Sequence, residues 1–213
     1  MTCSRPLSVV VLFVLAGWAA PARADVPSAS NSTTPTFVRL VGSSARAPDA
    51  PAGSFMVVVR NIANNPKPGA TVIVDLSQCP DAVVCADQLD PNAVVNCAAK
   101  SVTKFADAFG QASFTLLGGS TGAGHASTTA AAVRIFANGV ILRVAGFAAF
   151  DLDGSGGVGA GDLSVWLGDF GSMTPYERSD FDGSGDITAN DLSQWLGEYG
   201  AGRSTESCGA SCP

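Results

Sequence analysis

Positive charge is scarce in this chain. Of its 213 residues only 12 are Lys or Arg against 18 Asp or Glu, and charged residues of both signs make up 14% of the total. Nucleic acids and anionic membranes are recognised through a basic face, so neither is an expected partner. Histidine is rarer still. His125 is the single one, set in the stretch GGSTGAGHAST without a G-x-S-x-G elbow or a recognisable acid partner, so no hydrolytic triad is expected. The same stretch lacks the lysine and the strand–loop–helix setting of a phosphate-binding loop. Paired carboxylates can hydrolyse glycosides, but here the acids gather in two loops where another role claims them, and Asp75 and Asp107 stand singly at a strand end and a turn. The expectation is a protein without catalysis.

Long apolar runs are missing too, with one exception. Residues 1–24 combine Arg5, the run LSVVVLFVLAGWAA (Leu7 to Ala20), and Ala22 and Ala24 in an Ala-x-Ala cleavage pattern. The run falls short of the roughly 20 apolar residues that a bilayer span needs, so it reads as a secretory signal. Cleavage after Ala24 removes two arginines and no acids, taking the formal charge from −6 to −8. Residues 25–36, DVPSASNSTTPT, read as a flexible polar leader.

No ordinary helix with a 3.6-residue period is legible before residue 160. Instead, residues 37–147 carry short apolar or alternating runs: TFVRLV, SFMVVVRNI, ATVIVDL, SVTKF, ASFTLL and AAVRIFANGVILRVAGF. Turn chemistry separates them. NNPKPG (Asn64 to Gly69) stops one strand and starts the next, and Asn138-Gly139 is a strong two-residue hairpin signal. The expectation is a mainly β chain, an antiparallel sandwich, followed by a small α module.

Five cysteines follow the signal: Cys79, Cys85, Cys97, Cys208 and Cys212. An exported protein uses such residues in disulfides. The expected pattern is one bridge within the 79–97 cluster and one closing CGASC, with one thiol left over. The spacings, with no neighbouring His, are poor for zinc.

What is abundant is glycine with aspartate. DLDGSGGVGAGD (Asp151 to Asp162) returns 29 residues later as DFDGSGDITAND (Asp180 to Asp191), and each copy runs into a matching segment, LSVWLGDF and LSQWLGEY. A hard divalent cation such as calcium wants six to eight oxygens, and a twelve-residue loop supplies them from positions 1, 3, 5, 7 and 12. In the first loop these are Asp151, Asp153, Ser155, the Gly157 carbonyl and Asp162. In the second they are Asp180, Asp182, Ser184, the Asp186 carbonyl and Asp191. Gly156 and Gly185 sit at position 6, where the loop bends sharply. Val158 and Ile187 at position 8 are expected to pair as a two-stranded bridge. Each loop should open a helix with an apolar face: Leu163, Trp166, Leu167 and Phe170, then Leu192, Trp195, Leu196 and Tyr199. Two copies of so small a unit should pack together, and calcium binding, two ions, should be coupled to folding.

Two resemblances follow from these residues. NNPKPGATVIVDL followed by KFADAFGQASFTLL is similar to bacterial immunoglobulin-like domains of surface and invasin-type proteins, which implies a spacer or adhesive module over residues 37–147. The duplicated D-x-D-G-S-G-x-[VI]-x-x-x-D-L-x-x-W-L pattern resembles dockerin domains, with Asp at position 12 and only the exit helix present. It covers about residues 148–201 and leaves 202–213 as a cysteine-containing tail. The resemblance implies calcium-dependent attachment of a secreted protein to a cohesin-like receptor, with Trp166, Leu167, Trp195 and Leu196 as contact residues. The chain departs from cellulosomal dockerins at loop positions 10 and 11, which are Ala160-Gly161 and Ala189-Asn190 rather than hydroxyl pairs. The alternative is a calcium-stabilised structural or adhesive protein without a cohesin partner.

Overall fold

The computed structural model describes residues 25–123, 132–172 and 177–212. Residues 1–24, expected to be a secretory signal, and His125 lie outside the described residues. The chain is mainly β, with few helices. In order come β1 (Phe37–Val41), β2 (Ser43–Ser44), β3 (Ala47–Pro48), the one-turn helix α1 (Ala50–Gly53), β4 (Ser54–Val58) and β5 (Thr71–Asp75). After these follow β6 (Ala82–Val84), β7 (Val94–Asn96), β8 (Ser101–Phe105), β9 (Gln111–Ser120), β10 (Val133–Ala137) and β11 (Val140–Ala149). Two longer helices close the series, α2 (Ala160–Phe170) and α3 (Ala189–Gly200).

Among the described residues, nine strands join in one hydrogen-bonded order, β4-β9-β1-β11-β10-β5-β8-β7, with β6 paired to β9. The sheet is mixed rather than purely antiparallel. β9 and β11 each run for ten residues and change partner midway. β9 pairs with β4 through Gln111–Thr115, then with β1 at Leu116 and Leu117 and with β6 beyond. β11 pairs with β10 first, then with β1 from Gly146 to Ala149. Their C-terminal halves run in the same direction, and β1 fills the gap between them parallel to both.

Local chemistry explains the register. Asn138 and Gly139 both adopt positive φ, 45° and 80°, the twist that a two-residue hairpin requires. Strand β5 alternates half-buried and buried residues, as its partner β10 does in the opposite phase. One core results, holding Val57 and Phe114 from one side of the sheet path and Val72, Val74, Val102 and Ile135 from the other.

Two expectations need correction. Residues 25–36 are not a detached leader: Pro27 and Thr33 form bridges with Asn61 and Val58, Asn31 donates to the Asn61 and Ile62 carbonyls, and Lys67 pairs with Asp25 at 2.6 Å. At the other end of the sheet region, β11 runs to Ala149 and the first loop begins at Asp151. The cysteine pairing also differs. The bridges are Cys85–Cys208 and Cys97–Cys212, and Cys79 is buried outside them. The cause is the path of the tail, which returns to the sheet: Ser211 forms a bridge with Cys85, and the Cys212 amide donates to the Val84 carbonyl at 2.7 Å. Each tail cysteine therefore meets a cysteine of the sheet region before it can meet the other.

Candidate metal centre

Both glycine-rich loops hang from the end of the sheet where β1, β9 and β11 converge. A second buried cluster sits there, joining Val41, Leu117 and Ala148 to Phe150, Leu152, Phe181, Trp166 and Trp195. The rings of Phe150 and Phe181 stack with centroids 4.8 Å apart, which brings the start of the first loop against the second. The helices thus pack on the sheet end through a shared core. Burying a large side chain of this kind contributes about 1.5–3 kcal/mol.

Each loop folds around its own carboxylates. The Asp162 side chain accepts hydrogen bonds from the Leu152, Asp153 and Gly159 amides at 2.6, 3.0 and 2.7 Å. It therefore holds the loop closed while satisfying the first turn of α2, an acid placed where the helix dipole favours it. Asp191 repeats this, accepting from Asp182 and Thr188 at 3.0 and 2.7 Å. Position 6 matches as well: the Gly156 amide donates to Asp151 at 3.1 Å and the Gly185 amide to Asp180 at 2.7 Å, with φ of 102° and 94°.

Asp151, Asp153 and Asp162 each bring a carboxylate oxygen within 4.8 Å of the others, and Asp180, Asp182 and Asp191 do the same. These two triads could hold metal ions. Burial pushes the Asp162 carboxyl up to about 6, against the opposing backbone hydrogen bonds. Burial likewise raises Asp151 and Asp180. Asp153 is pushed up by burial but held low by the side-chain and backbone hydrogen bonds from Ser155, while Asp182 is held low chiefly by the Ser184 side chain. Crowded carboxylates raised in this way lack a counter-charge, which a divalent cation would supply. The first triad fits such an ion in a further respect: Asp151 is 4% exposed, and its Oδ1 is buried without a hydrogen-bond partner. All donors expected at both sites are oxygens, which suits a hard cation.

Of the remaining expected ligands, Ser184 turns its hydroxyl to the Asp186 carbonyl at 3.1 Å, and the Ser155 amide caps Asp153 at 2.8 Å. Gly157 is buried, whereas its counterpart Asp186 is exposed. The expected bridge between Val158 and Ile187 does not form among the described residues. The Val158 amide instead donates to the Ser204 carbonyl of the tail at 2.9 Å, since the tail occupies the edge that the second loop would need.

The expected contact residues divide. Trp166 and Trp195 are 2% and 1% exposed and belong to the shared core, so they are unavailable to a partner, whereas Leu167 and Leu196 are 54% and 48% exposed. The Trp166 ring stacks on Phe170 and the Trp195 ring on Tyr199, both at 5.1 Å. These outer aromatics are half exposed.

Sequence reasoning missed the ion network behind the helices. Arg178 places its guanidinium fork on Asp169 at 2.8 and 2.9 Å and reaches Asp81 at 3.2 Å, all three side chains buried. Asp81 also accepts from Ser120 and Thr121 in and beside β9. A signal existed. Asp169 and Glu198 occupy the same place in the two repeats, 29 residues apart, and both are buried. Asp75 and Asp107, read as isolated acids, are structural: Asp75 pairs with Arg134 at 2.8 Å, and Asp107 accepts from the Phe109 and Gln111 amides. Comparison with protein-family models, with curated proteins and with solved structures finds no match to this chain.

Proposed function

We propose that this chain is an exported, non-catalytic protein that binds two calcium ions, one in each acidic loop, and uses them to fix its helical segment to the end of an immunoglobulin-like β-structure. The observation that carries this reading is the register of two oxygen-only triads, repeated in sequence and in hydrogen bonding, one of them with a buried unpartnered carboxylate oxygen. Asp151, Asp153 and Asp162 would hold one ion, and Asp180, Asp182 and Asp191 the other, with Ser155, Ser184 and the carbonyls of Gly157 and Asp186 as the neutral oxygens. The ion supplies the positive charge that the crowded carboxylates lack. The two disulfides accord with an oxidising compartment, and among the described residues no helix is long and apolar enough to cross a membrane.

On this reading calcium is a structural element of an adhesive or surface body, as the burial of both tryptophans and their shared core with the sheet support. Calorimetric titration with calcium, beside thermal unfolding in calcium and in chelator, tests it. A site filled at 100 times its Kd adds about 2.7 kcal/mol to stability. Absence of both heat and stabilisation at millimolar calcium would sink the proposal.

A second reading, calcium-dependent attachment to a cohesin-like receptor, draws support from the outer helix surfaces, where Leu167 and Phe170 match Leu196 and Tyr199 in exposure. Its test is capture from surface and secreted fractions with chelator elution. A partner released by chelator and lost on Leu167→Asp with Leu196→Asp would favour attachment; a partner indifferent to those changes would not.

A further inference from the structure

The two loops match in sequence but not in surroundings. The second touches β1 at its start, where a Cβ at Gly183 would lie 3.0 Å from Phe37, but is open around its bend: Asp182 and Asp186 are exposed, and a Cβ added at Gly185 would meet nothing within 4 Å. Both oxygens of Asp180 are occupied by loop amides, Ser184 at 3.0 Å and Gly185 at 2.7 Å. The first loop is instead enclosed. On one side the end of β9 lies so close that a Cβ at Gly119 would sit 3.0 Å from Asp151 Oδ2, and one at Gly154 would sit 2.8 Å from the Ser120 carbonyl. On the other side runs the tail. The Val158 amide donates to Ser204 and the Ser207 amide to Gly156, at 2.9 and 2.8 Å, and a Cβ at Gly157 would lie 2.1 Å from the Thr205 carbonyl.

Between these walls is a cleft of about 400 Å³ lined by Asp151, Gly156, Ser120, Thr121, Ser207 and Cys208. Ser207 is 8% exposed. Its hydroxyl lies 4.0 Å from where a Cβ at Gly156 would sit and lines the same cleft as Asp151, whose Oδ1 is without a hydrogen-bond partner. The next residue is Cys208, tied to Cys85. The tail is further pinned by the Ala86 amide on the Ala210 carbonyl at 2.8 Å and by the second disulfide at Cys212.

We propose that the C-terminal tail is a working part of the first metal site alone: Ser207 is a positioning residue for Asp151, and the Cys85–Cys208 disulfide holds it there. The inference rests on the calcium reading above and deepens it, because it makes the two sites unequal. The first is preorganised by a covalently held wall, whereas the second rests on its own amides and on Phe37 and Arg39 of β1. Residues that orient a metal ligand commonly change affinity by tenfold or more without touching the ion.

Each loop can be followed separately in the intact chain by titrating isotope-labelled protein with calcium and reading the position-6 amides, Gly156 for the first site and Gly185 for the second. Ser207→Ala keeps both disulfides and should weaken binding at Gly156 by about tenfold, leaving Gly185 within about twofold. Cys85→Ala with Cys208→Ala should weaken the Gly156 site at least as much, again sparing Gly185. Because loss of a disulfide can unfold the chain, the Gly185 titration doubles as its control, and Ser207→Ala decides the matter where that control is lost. An unchanged Gly156 affinity in Ser207→Ala, or an equal loss at both loops, would overturn the inference while leaving the calcium reading intact. No calcium response at either amide in the unaltered protein would overturn both.

Discussion

Removing the disulfides one at a time and then together should give strongly non-additive losses of stability. Cys85–Cys208 and Cys97–Cys212 are interleaved along the chain, with sequence separations of 123 and 115 residues. In the chain-entropy picture a loop of about 120 residues is worth about 4.8 kcal/mol. With one bridge intact, however, the other closes only the short circuit from Cys85 to Cys97 and from Cys208 to Cys212, about 16 residues in all, worth about 3 kcal/mol. Either bridge alone can serve as the long one. Replacing Cys85 and Cys208 by alanine should therefore cost about 3 kcal/mol, replacing Cys97 and Cys212 about the same, and replacing all four about 8 kcal/mol rather than 6. Denaturant unfolding under non-reducing conditions, in chelator so that no metal site contributes, measures all three. Single-pair losses near 5 kcal/mol each, or a fourfold variant whose loss equals the sum of the two pairs, would refute the overlapping-loop reasoning.

Other outcomes follow from the same packing. Trp166→Ala should cost about 3–5 kcal/mol in thermal unfolding, and Trp166→Phe under about 1.5, because the indole N–H has no partner to lose. Leu167→Ala, one residue away on the exposed face, should stay within about 0.5 kcal/mol. Arg178→Met should cost about 3–5 kcal/mol by stranding Asp81 and Asp169 in the interior, and Arg178→Lys should recover little, since an ammonium cannot match the two-pronged contact with Asp169. Burial, then the neighbouring Asp49, raises the Glu198 carboxyl from 4.5 to about 7. The folded state therefore prefers Glu198 protonated, so its contribution is complete below pH 4.5 and is lost as pH rises through about 7. Glu198→Gln should remove that slope from the variant's own stability curve, so that it appears in the difference between wild type and variant; a parallel pair of curves would contradict it.

Much of this arrangement was legible beforehand, for identifiable reasons. Period-2 runs located β1, β4, β5, β8, β9, β10 and β11, and Asn138-Gly139 marked the hairpin, because burial on one face and positive φ leave direct traces in residue choice. The two triads were legible because twelve-residue spacing fixes which side chains converge. Strands β6 and β7 are three residues each, too short for a period to register. The parallel insertion of β1 depends on where β9 and β11 exchange partners, a property of three distant segments together. The disulfide pairing failed for a related reason: nearness in sequence favoured Cys208 with Cys212, but the tail's hydrogen bonds to β6 carry each to a separate partner. The tryptophans were read as a presented face because their periodicity marks an apolar stripe without saying what covers it.

The return of the tail to the sheet also has a mechanical meaning. Every residue from 97 to 212 lies inside a covalent ring closed by Cys97 and Cys212. Tension entering the chain at Cys212 would pass through that bond to Cys97, beside β8, and would bypass both acidic loops, both helices and the ion network behind them. The segment with the two acidic loops is thus shielded from pulling forces, and a load would instead test the strands that anchor Cys97.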